Sequence, residues 1–257
     1  MSGSSLPTGS PHVSEPSRSS ARAFAIVLAS GTGTRFGGLK QLAKWRGKTL
    51  LEWTLQSIHE VAAIHSTVVA TNSRDVAASA SMYASSLREI SLADGGEHRL
   101  ETFQNGLTRL RAEIEVNAAD TILLVDANRP LTPHSVYKKC IDLAQETAVT
   151  CPAIPISDGV AVVEEGYVSD IPVRSKLIAL QTPEAARFED IQRLPSGVWQ
   201  DRSVLGLCEA FLRSGIRPLT FPGSPLGMKV TFPHDVTLLE GLAADYLHSH
   251  DGQEAGG

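Results

Sequence analysis

Two cations, Arg35 and Lys40, accompany a glycine-rich segment that suits phosphate chemistry. The segment, SGTGTRFGGLK, begins at Ser30 directly after the apolar run 25–29. Glycines let backbone N–H groups approach phosphate oxygens, and cations neutralise the phosphate charge. A dinucleotide fingerprint would need a third glycine where Phe36 stands, and no Gly-Lys-Ser/Thr follows as in a P-loop. We interpret the segment as a phosphate-binding loop of another kind. A plain strand-to-helix turn with solvated charges is the alternative.

A carboxylate, Asp126, follows a second fully apolar run at 122–125, in the strand predicted at 121–125. The end of such a buried strand is where an α/β sheet binds its ligands. One carboxylate together with substrate phosphates is enough protein ligation for Mg²⁺, so Asp126 is a candidate metal ligand. The alternative is a structural Asp that caps a helix before Arg129-Pro130.

The elements that must position these residues alternate along the chain. Runs that are apolar on every residue suit a sheet covered by helices on both faces. The alternation predicts a single α/β domain over 22–248, a Rossmann-like three-layer sandwich with a mostly parallel sheet. Strands are predicted at 25–29, 67–71, 90–92, 121–125, 149–154 and 217–221, and helices at 49–61, 73–86, 100–111, 132–147, 183–190, 203–214 and 233–248.

The stretch 161–171 interrupts this alternation with two short strands about a Glu-Gly turn. It predicts an inserted β-hairpin arm, about 157–175, which is either a surface excursion or an arm that reaches a partner subunit. The Ser-, Pro- and Gly-rich residues 1–21 predict a disordered tail, and 249–257 a flexible one.

Composition excludes several functional classes. The chain has 257 residues, is 42% hydrophobic and 20% charged, and carries a net charge of −5. It lacks the basic excess of a nucleic-acid binder and any membrane-spanning or secretory segment. Three cysteines without metal-binding spacing predict reduced thiols and a cytoplasmic location.

Five collinear blocks resemble the cytidylyltransferase family that includes 2-C-methyl-D-erythritol 4-phosphate cytidylyltransferase and ribitol 5-phosphate cytidylyltransferase. The first is AIVLASGTGTRFGGLKQL, followed by GKTLLEWTL. The others are DGGEHR at 94–99 for the family's GG-x-x-R, LVDANRP at 124–130 for D-A-A-R-P, QTP at 181–183, and MKVTFPHD at 228–235 for I-K-V-T-x-P-E-D. The similarity extends over about 25–247.

The resemblance implies an enzyme of isoprenoid biosynthesis type, in which an acceptor phosphate oxygen attacks the α-phosphorus of CTP and pyrophosphate leaves. It implies Mg²⁺ as cofactor, CTP and a small phosphorylated acceptor as substrates, and charge stabilisation as the main catalytic device. The implied catalytic residues are Arg35, Lys40, Arg174 and Lys229. The implied nucleotide-binding residues are Ala29, Ser30, Gly31, Thr32, Gly33, Thr34, Gly95, Gly96, Arg99 and Thr102. The implied acceptor-binding residues are Asp126, Arg129, Arg174 and Gly159, with Asp126 also the metal ligand.

Arg174 aligns with a family arginine that reaches the neighbouring subunit's acceptor phosphate, which implies a homodimer through the hairpin arm. A solvated surface arginine is the alternative.

Three departures lie on the acceptor side. The family's D-T-x-K is Asp158-Gly159-Val160-Ala161 here, the second acid of T-D-D/E-A-S is Arg202, and the Asp-Asn before I-K-V is Leu226-Gly227. They suggest a changed acceptor, such as a phosphonate or another sugar phosphate. The sequence also leaves open a catalytically idle nucleotide-binding paralogue and a nucleotide-sugar enzyme. The absence of Asp-x-Asp at 126–128 argues against a glycosyltransferase.

Overall fold

The computed structural model describes residues 21–84 and 90–251, with only the backbone described beyond residue 243. The strands are β1 (Ala23–Leu28), β2 (Lys44–Trp45), β3 (Lys48–Thr49), β4 (Ile64–Ala70), β5 (Ile90–Ala93), β6 (Thr121–Asp126), β7 (Val149–Pro155), β8 (Val162–Glu164), β9 (Tyr167–Asp170), β10 (Ile178–Leu180), β11 (Glu184–Arg187) and β12 (Leu219–Pro222). The α-helices are α1 (Leu50–His59), α2 (Arg74–Ala84), α3 (Arg99–Glu113), α4 (His134–Ala144), α5 (Phe188–Gln192), α6 (Ser196–Gln200), α7 (Leu207–Arg213) and α8 (Asp235–Asp251).

Among the described residues, eight strands form one central sheet in the order β10-β7-β11-β6-β1-β4-β5, with β12 beside β7. The pairs β1–β4, β1–β6, β4–β5 and β7–β12 are parallel. Leu28 is in register with Asp126, so the glycine-rich segment after β1 and the carboxylate at the end of β6 leave the sheet side by side. The predicted α/β sandwich with a mostly parallel sheet is confirmed.

Both faces of this sheet are covered, since β1 and β6 are buried at every residue. One face packs against α1, α2 and α4, and the other against α3, α5 and α7. On the second face α3 comes very close to β1 at Gly106, where an added Cβ would lie 2.4 Å from Ile26 Cγ2. Glycine at this position therefore sets how closely α3 can pack.

Helix α1 supports the chain that follows β6. It begins with a capping box, in which the Thr49 side chain accepts from the Glu52 N–H and the Glu52 carboxylate accepts from the Thr49 N–H. Further along α1, the Thr54 hydroxyl bonds to the Ala127 carbonyl and the Ser57 hydroxyl to the Thr132 carbonyl. The segment just after Asp126 is thereby fixed to a buried helix.

The prediction of a helix at 183–190 is wrong. Glu184–Arg187 is strand β11, antiparallel to both β6 and β7, and only Phe188–Gln192 is helical. A short segment with helix-forming residues becomes a strand here because it completes the hydrogen bonding between two buried strands. The antiparallel strand β10 was also not predicted. The other predicted strands and helices are present, with ends shifted by a few residues.

The predicted hairpin is formed by β8 and β9, which pair antiparallel and make no described ladder with the central sheet. Its turn residues Glu165 and Gly166 have φ of 50° and 85°, as a type I′ turn requires. Apolar side chains project from the arm into solvent, among them Val163, Tyr167 and Ile171.

Helix α8 continues to Asp251, past the predicted domain boundary at 248. The predicted N-terminal tail lies outside the described residues except for residue 21, as do residues 252–257. Within the described ranges, no helix has the length and apolar character needed to cross a bilayer.

Candidate active site

The glycine-rich loop folds back on a single carbonyl group. The Gly33 oxygen accepts hydrogen bonds from the N–H groups of Phe36, Gly37 and Gly38 at 2.8, 3.0 and 3.3 Å. Gly33 has a φ of +66°, and a Cβ there would lie 1.9 Å from the Gly38 oxygen. This turn places Arg35 and Lys40 on either side of a compact loop, and only glycine fits at residue 33.

Gln41, a residue that the sequence did not single out, fixes the beginning of the same loop. Its Nε2 donates to the carbonyl oxygens of Ala29 and Gly31 at 3.0 and 2.8 Å, while the side chain is almost fully buried. Two backbone carbonyls are thereby held beneath the loop. The only sequence signal is a glutamine between Lys40 and the apolar pair Leu42-Ala43.

Asp126 lies at the centre of a cluster of cations. Its Oδ1 accepts from Arg99 at 2.6 Å, and its Oδ2 lies 3.0 Å from Lys229 Nζ and 3.1 Å from Arg129 Nε. We call Arg99, Arg129 and Lys229 the Asp126 cation cluster. Its members come from α3, from the segment after β6 and from the segment before α8, which the fold brings to one edge of the sheet.

The pKa shifts in this cluster follow from burial and from the charges that surround Asp126. Burial acts to raise the pKa of Asp126, but Arg99, Lys229 and Arg129 outweigh it and hold that pKa far below its usual range. The pKa of Lys229 is nevertheless lowered, because burial and the neighbouring arginines outweigh the attraction of Asp126. One carboxylate therefore compensates only part of the surrounding charge, and the site favours a further anion.

Lys40 faces the same charge excess. Burial and then the charge of Lys229 lower its pKa, with Arg35 and Arg99 contributing in the same direction. Arg35 itself is exposed, and its guanidinium lies 5.9 Å from the centre of the Phe232 ring. Cations from residues 35, 40, 99 and 229 thus interact with one another although they are distant in sequence.

These groups surround a cavity of about 200 Å³. Of the residues predicted for the site, Ser30, Gly31, Lys40, Gly96, Arg99, Thr102, Asp126 and Lys229 line it. The other predicted residues near the site belong to the same loops or contacts but do not line the cavity; they are Ala29, Thr32, Gly33, Thr34, Arg35, Gly95 and Arg129. Leu28, Gln41, Glu97, His98 and Asn128 also line it and were not predicted as site residues.

Gly95 and Gly96 allow close contacts between loops of the protein itself. A Cβ on Gly95 would lie 1.9 Å from Ser30 Oγ, and one on Gly96 2.5 Å from Glu101 Cβ. The Gly96 N–H donates to the Thr102 hydroxyl at 3.0 Å. Gly95 is therefore required for packing against the first glycine-rich loop and Gly96 for packing against the first turn of α3, whatever they contribute to base binding.

Arg129 is buried and already bonded on two sides. Besides Asp126, it donates from Nη1 to the Gly227 carbonyl at 2.6 Å. It therefore joins the segment that carries Lys229 to the end of β6. Its predicted contact with the acceptor stays a prediction.

Arg174 and Gly159 lie apart from this cavity. Arg174 is exposed in the short helix Arg174–Lys176 and donates to the Ser157 carbonyl at 2.8 Å, at the base of the hairpin arm. Gly159 is exposed, with nothing within 4 Å of an added Cβ. Neither residue lines the cavity of its own chain.

Two exposed charges meet at the mouth of the cavity. Arg202, which stands where the family has a second acid, donates to the cavity-lining Glu97. Arg99 donates from Nε to the Leu205 carbonyl nearby. These contacts connect the loop at 94–98 with the segment at 201–206, and the departure at 202 therefore bears directly on the site.

The residues fit a metal ion carried by a nucleotide better than a metal held by a protein cage. Among the described residues, no three His, Cys, Asp or Glu side chains are grouped to hold a metal ion. Asp126 is ionised and borders the cavity, but both of its oxygens already accept from cations. Mg²⁺ commonly binds one carboxylate and the substrate's phosphates, and Asp126 suits that arrangement.

Comparison with known proteins identifies the family. A family model described as IspD, 2-C-methyl-D-erythritol 4-phosphate cytidylyltransferase, matches residues 23–244. The chain belongs to this family. It is therefore a nucleotidyltransferase, a class of enzyme that commonly uses a divalent metal ion.

Individual relatives agree with this membership. The chain is 30% identical to a 2-C-methyl-D-erythritol 4-phosphate cytidylyltransferase of Ralstonia nicotianae, over 95% of this chain and 100% of that protein. It is 29% identical to a bifunctional IspD/IspF enzyme of Ruegeria sp., but spans only 54% of that longer protein. A crystal structure of 4-diphosphocytidyl-2C-methyl-D-erythritol synthase superposes with a TM-score of 0.73 at 25% identity, covering 87% of this chain and 99% of that one.

Proposed function

We propose that this IspD family member transfers CMP from CTP to the phosphate oxygen of a small polyol phosphate, such as methylerythritol 4-phosphate. The acceptor oxygen forms a bond to the α-phosphorus, the bond from that phosphorus to the bridging oxygen of the β-phosphate breaks, and pyrophosphate leaves. The convergence of Lys40, Lys229 and Arg99 around one cavity carries the proposal, because phosphoryl-group transfer depends on positioning and on neutralising charge.

The geometry supports distinct roles for the loop and the Asp126 cation cluster. Lys40 and Lys229 border the cavity, where burial and, to a smaller extent, neighbouring cations lower the pKa of each, so a bound anion would stabilise their charged forms. Arg35 lies within electrostatic range of Lys40 and extends the positive surface toward solvent. In this proposal the three cations neutralise the triphosphate and the charge that develops as pyrophosphate leaves.

The proposed metal is Mg²⁺, bound through the triphosphate with Asp126 as the protein carboxylate. When bound, the ion would neutralise phosphate charge and orient the leaving pyrophosphate. The residues' own part is to keep Asp126 ionised, which Arg99, Arg129 and Lys229 ensure.

We further propose a homodimer in which the hairpin arm brings Arg174 to the partner's acceptor phosphate. Exposed apolar side chains along the arm and Arg174 at its base support this arrangement. Mixing the inactive variants Arg174→Ala and Lys40→Ala should restore activity, since a mixed dimer contains one intact site. Sedimentation of a fully active monomer would contradict the dimer.

A changed acceptor is the second candidate, because Arg202 places a cation at the cavity mouth where the family has an acid. A phosphonate or another sugar phosphate would then replace methylerythritol 4-phosphate. Cytoplasmic location also stays a prediction, supported by three cysteines that are free and buried.

An acceptor screen tests the reaction. Purified protein is given each of the four NTPs with Mg²⁺ and either methylerythritol 4-phosphate, ribitol 5-phosphate or a polyol phosphonate, and pyrophosphate release is measured. We expect release with CTP and one acceptor, a fall in its rate by orders of magnitude in Lys229→Ala, and no change in the matched control Lys138→Ala, an exposed lysine on α4. CTP binding without release for any acceptor would instead support the idle paralogue. Efficient turnover of methylerythritol 4-phosphate alone would contradict the changed acceptor.

A further inference from the structure

Asn128, two residues beyond the end of β6, makes two hydrogen bonds to a single residue of a distant segment. The Val230 N–H donates to the Asn128 carbonyl at 3.0 Å, and the Asn128 side-chain Nδ2 donates to the Val230 carbonyl. Because the partner is a carbonyl, the orientation of the side-chain amide is fixed. Asn128 is buried and lines the cavity.

The neighbouring Arg129 holds the same segment on the other side of Lys229. Its Nη1 bonds to the Gly227 carbonyl at 2.6 Å. Two adjacent residues after β6 therefore bind the backbone on both sides of Lys229, at 227 and at 230. The result is the 3.0 Å contact between Lys229 Nζ and Asp126 Oδ2.

This arrangement matches a pair of departures from the family's motifs. The family's D-A-A-R-P has alanine where this chain has Asn128, and its Asp-Asn before I-K-V is Leu226-Gly227 here. Leu226 packs into an apolar cluster, and Gly227 has no side chain with which to bond. In this chain, the side-chain amide that anchors the Lys229 segment comes from the end of β6.

We infer that Asn128 is a positioning residue, which holds the Lys229 ammonium group at the substrate phosphates. This inference rests on the proposed function for its kinetic readout. An alanine at 128 leaves the Val230 carbonyl without the side-chain donor and so loosens the segment that carries Lys229, while the Val230 N–H bond to the residue 128 carbonyl and the Arg129 bond to Gly227 remain. The displacement of Lys229 should lower kcat/KM by about 10- to 100-fold, since a shift of about 1 Å in a positioned group can cost about 100-fold.

A double-mutant cycle on kcat/KM for CTP tests the inference, using wild type, Asn128→Ala, Lys229→Ala and the double variant. If Asn128 acts through Lys229, its substitution lowers kcat/KM in the wild-type background and has less than about a twofold effect when Lys229 is absent. Asn117→Ala, an exposed asparagine beyond the opposite end of β6, is the control and should match wild type.

Melting temperatures separate this role from a purely structural one. If Asn128 has only a structural role, Asn128→Ala lowers the melting temperature and kcat/KM whether or not Lys229 is present, and that result would overturn the inference. A wild-type kcat/KM in Asn128→Ala would overturn it as well. Asn128→Leu, which fills the same space without a side-chain donor, replaces the alanine variant if the latter is not recovered folded.

CTP binding distinguishes failure of this inference from failure of the proposed function. If wild type binds CTP but releases no pyrophosphate with any acceptor, the proposed reaction is wrong, and the same four proteins are compared by CTP affinity without acceptor. Weaker binding in Asn128→Ala that disappears in the Lys229→Ala background still supports the inference. Equal affinities of Asn128→Ala and wild type overturn it.

Discussion

Replacement of Asp126 by asparagine tests whether its carboxylate is the counterion of the site. The substitution keeps the size of the side chain and removes its charge. Both oxygens of Asp126 are engaged by the Asp126 cation cluster, and the side chains of Asp126 and Arg129 are only 3% and 8% exposed. Without the carboxylate, three positive charges face one another, with Arg129 buried and Arg99 and Lys229 about one-third exposed.

The expected loss of stability is large because a buried partner is removed. Breaking a buried ion pair on one side costs about 3–5 kcal/mol. At about 2–4 °C per kcal/mol for a chain of this size, the melting temperature should fall by roughly 6–20 °C. Asp120→Asn is the matched control, since Asp120 lies just before the opposite end of β6 and pairs with Arg22. It should also destabilise the protein.

Pyrophosphate distinguishes the two variants when thermal unfolding is followed without metal ions. A bound anion should raise the melting temperature of Asp126→Asn more than that of wild type, because the carboxylate no longer competes for the cations. Asp120→Asn should respond as wild type does. A melting temperature of Asp126→Asn within about 2 °C of wild type, or equal pyrophosphate shifts in all three proteins, would refute the counterion role.

Three further predictions concern the loop, the lysines and the core. Burial and neighbouring cations lower the pKa values of Lys40 and Lys229, so kcat/KM for CTP should fall at a pH below the 10.5 of an ordinary lysine as these groups lose their protons. The double variant Lys40→Arg/Lys229→Arg should move this fall in kcat/KM to higher pH. If the fall stays at the same pH, the two lysines are not the groups that titrate. Gly33→Ala should lower kcat/KM for CTP by at least about tenfold, because the new Cβ clashes with the Gly38 oxygen and alanine disfavours the positive φ. Gly37→Ala has the unfavourable φ but no clash, so its kcat/KM should fall less. Gly106→Ala should destabilise the protein by about 1–3 kcal/mol in chemical denaturation through overpacking against Ile26, while Gly197→Ala, which meets open space, should stay near wild type.

Local sequence patterns predicted the strands that are apolar along almost their whole length, because such a run indicates burial on both faces wherever its partners lie in the chain. The apolar runs that became β1 and β6 predicted both strands and the edge at which Asp126 lies. The error at 183–190 arose where the structure depends on distant pairing. Glu184–Arg187 is a strand because β6 and β7 bond to it from either side, which no local propensity encodes.

The site shows the same division. The sequence could predict the charged residues of the site, because cations and a metal-binding carboxylate suit a triphosphate and their motifs resemble those of a family; they are Arg35, Lys40, Asp126 and Lys229. Gln41 and Asn128 were missed because each acts on backbone carbonyls. Every residue has a backbone carbonyl, so the sequence does not indicate which carbonyl a given side chain will bind.

The electrostatics of the site favour a polyanion over a singly charged ligand. Asp126 supplies one negative charge against Arg99, Arg129 and Lys229, and Lys40 lines the same cavity, so positive charge is still in excess. A triphosphate can satisfy this excess, and in doing so it raises the pKa of both lysines and keeps them charged during the reaction. Once pyrophosphate and the cytidylylated product have both left, the excess returns, and Asp126 again holds the cations in place for the next nucleotide.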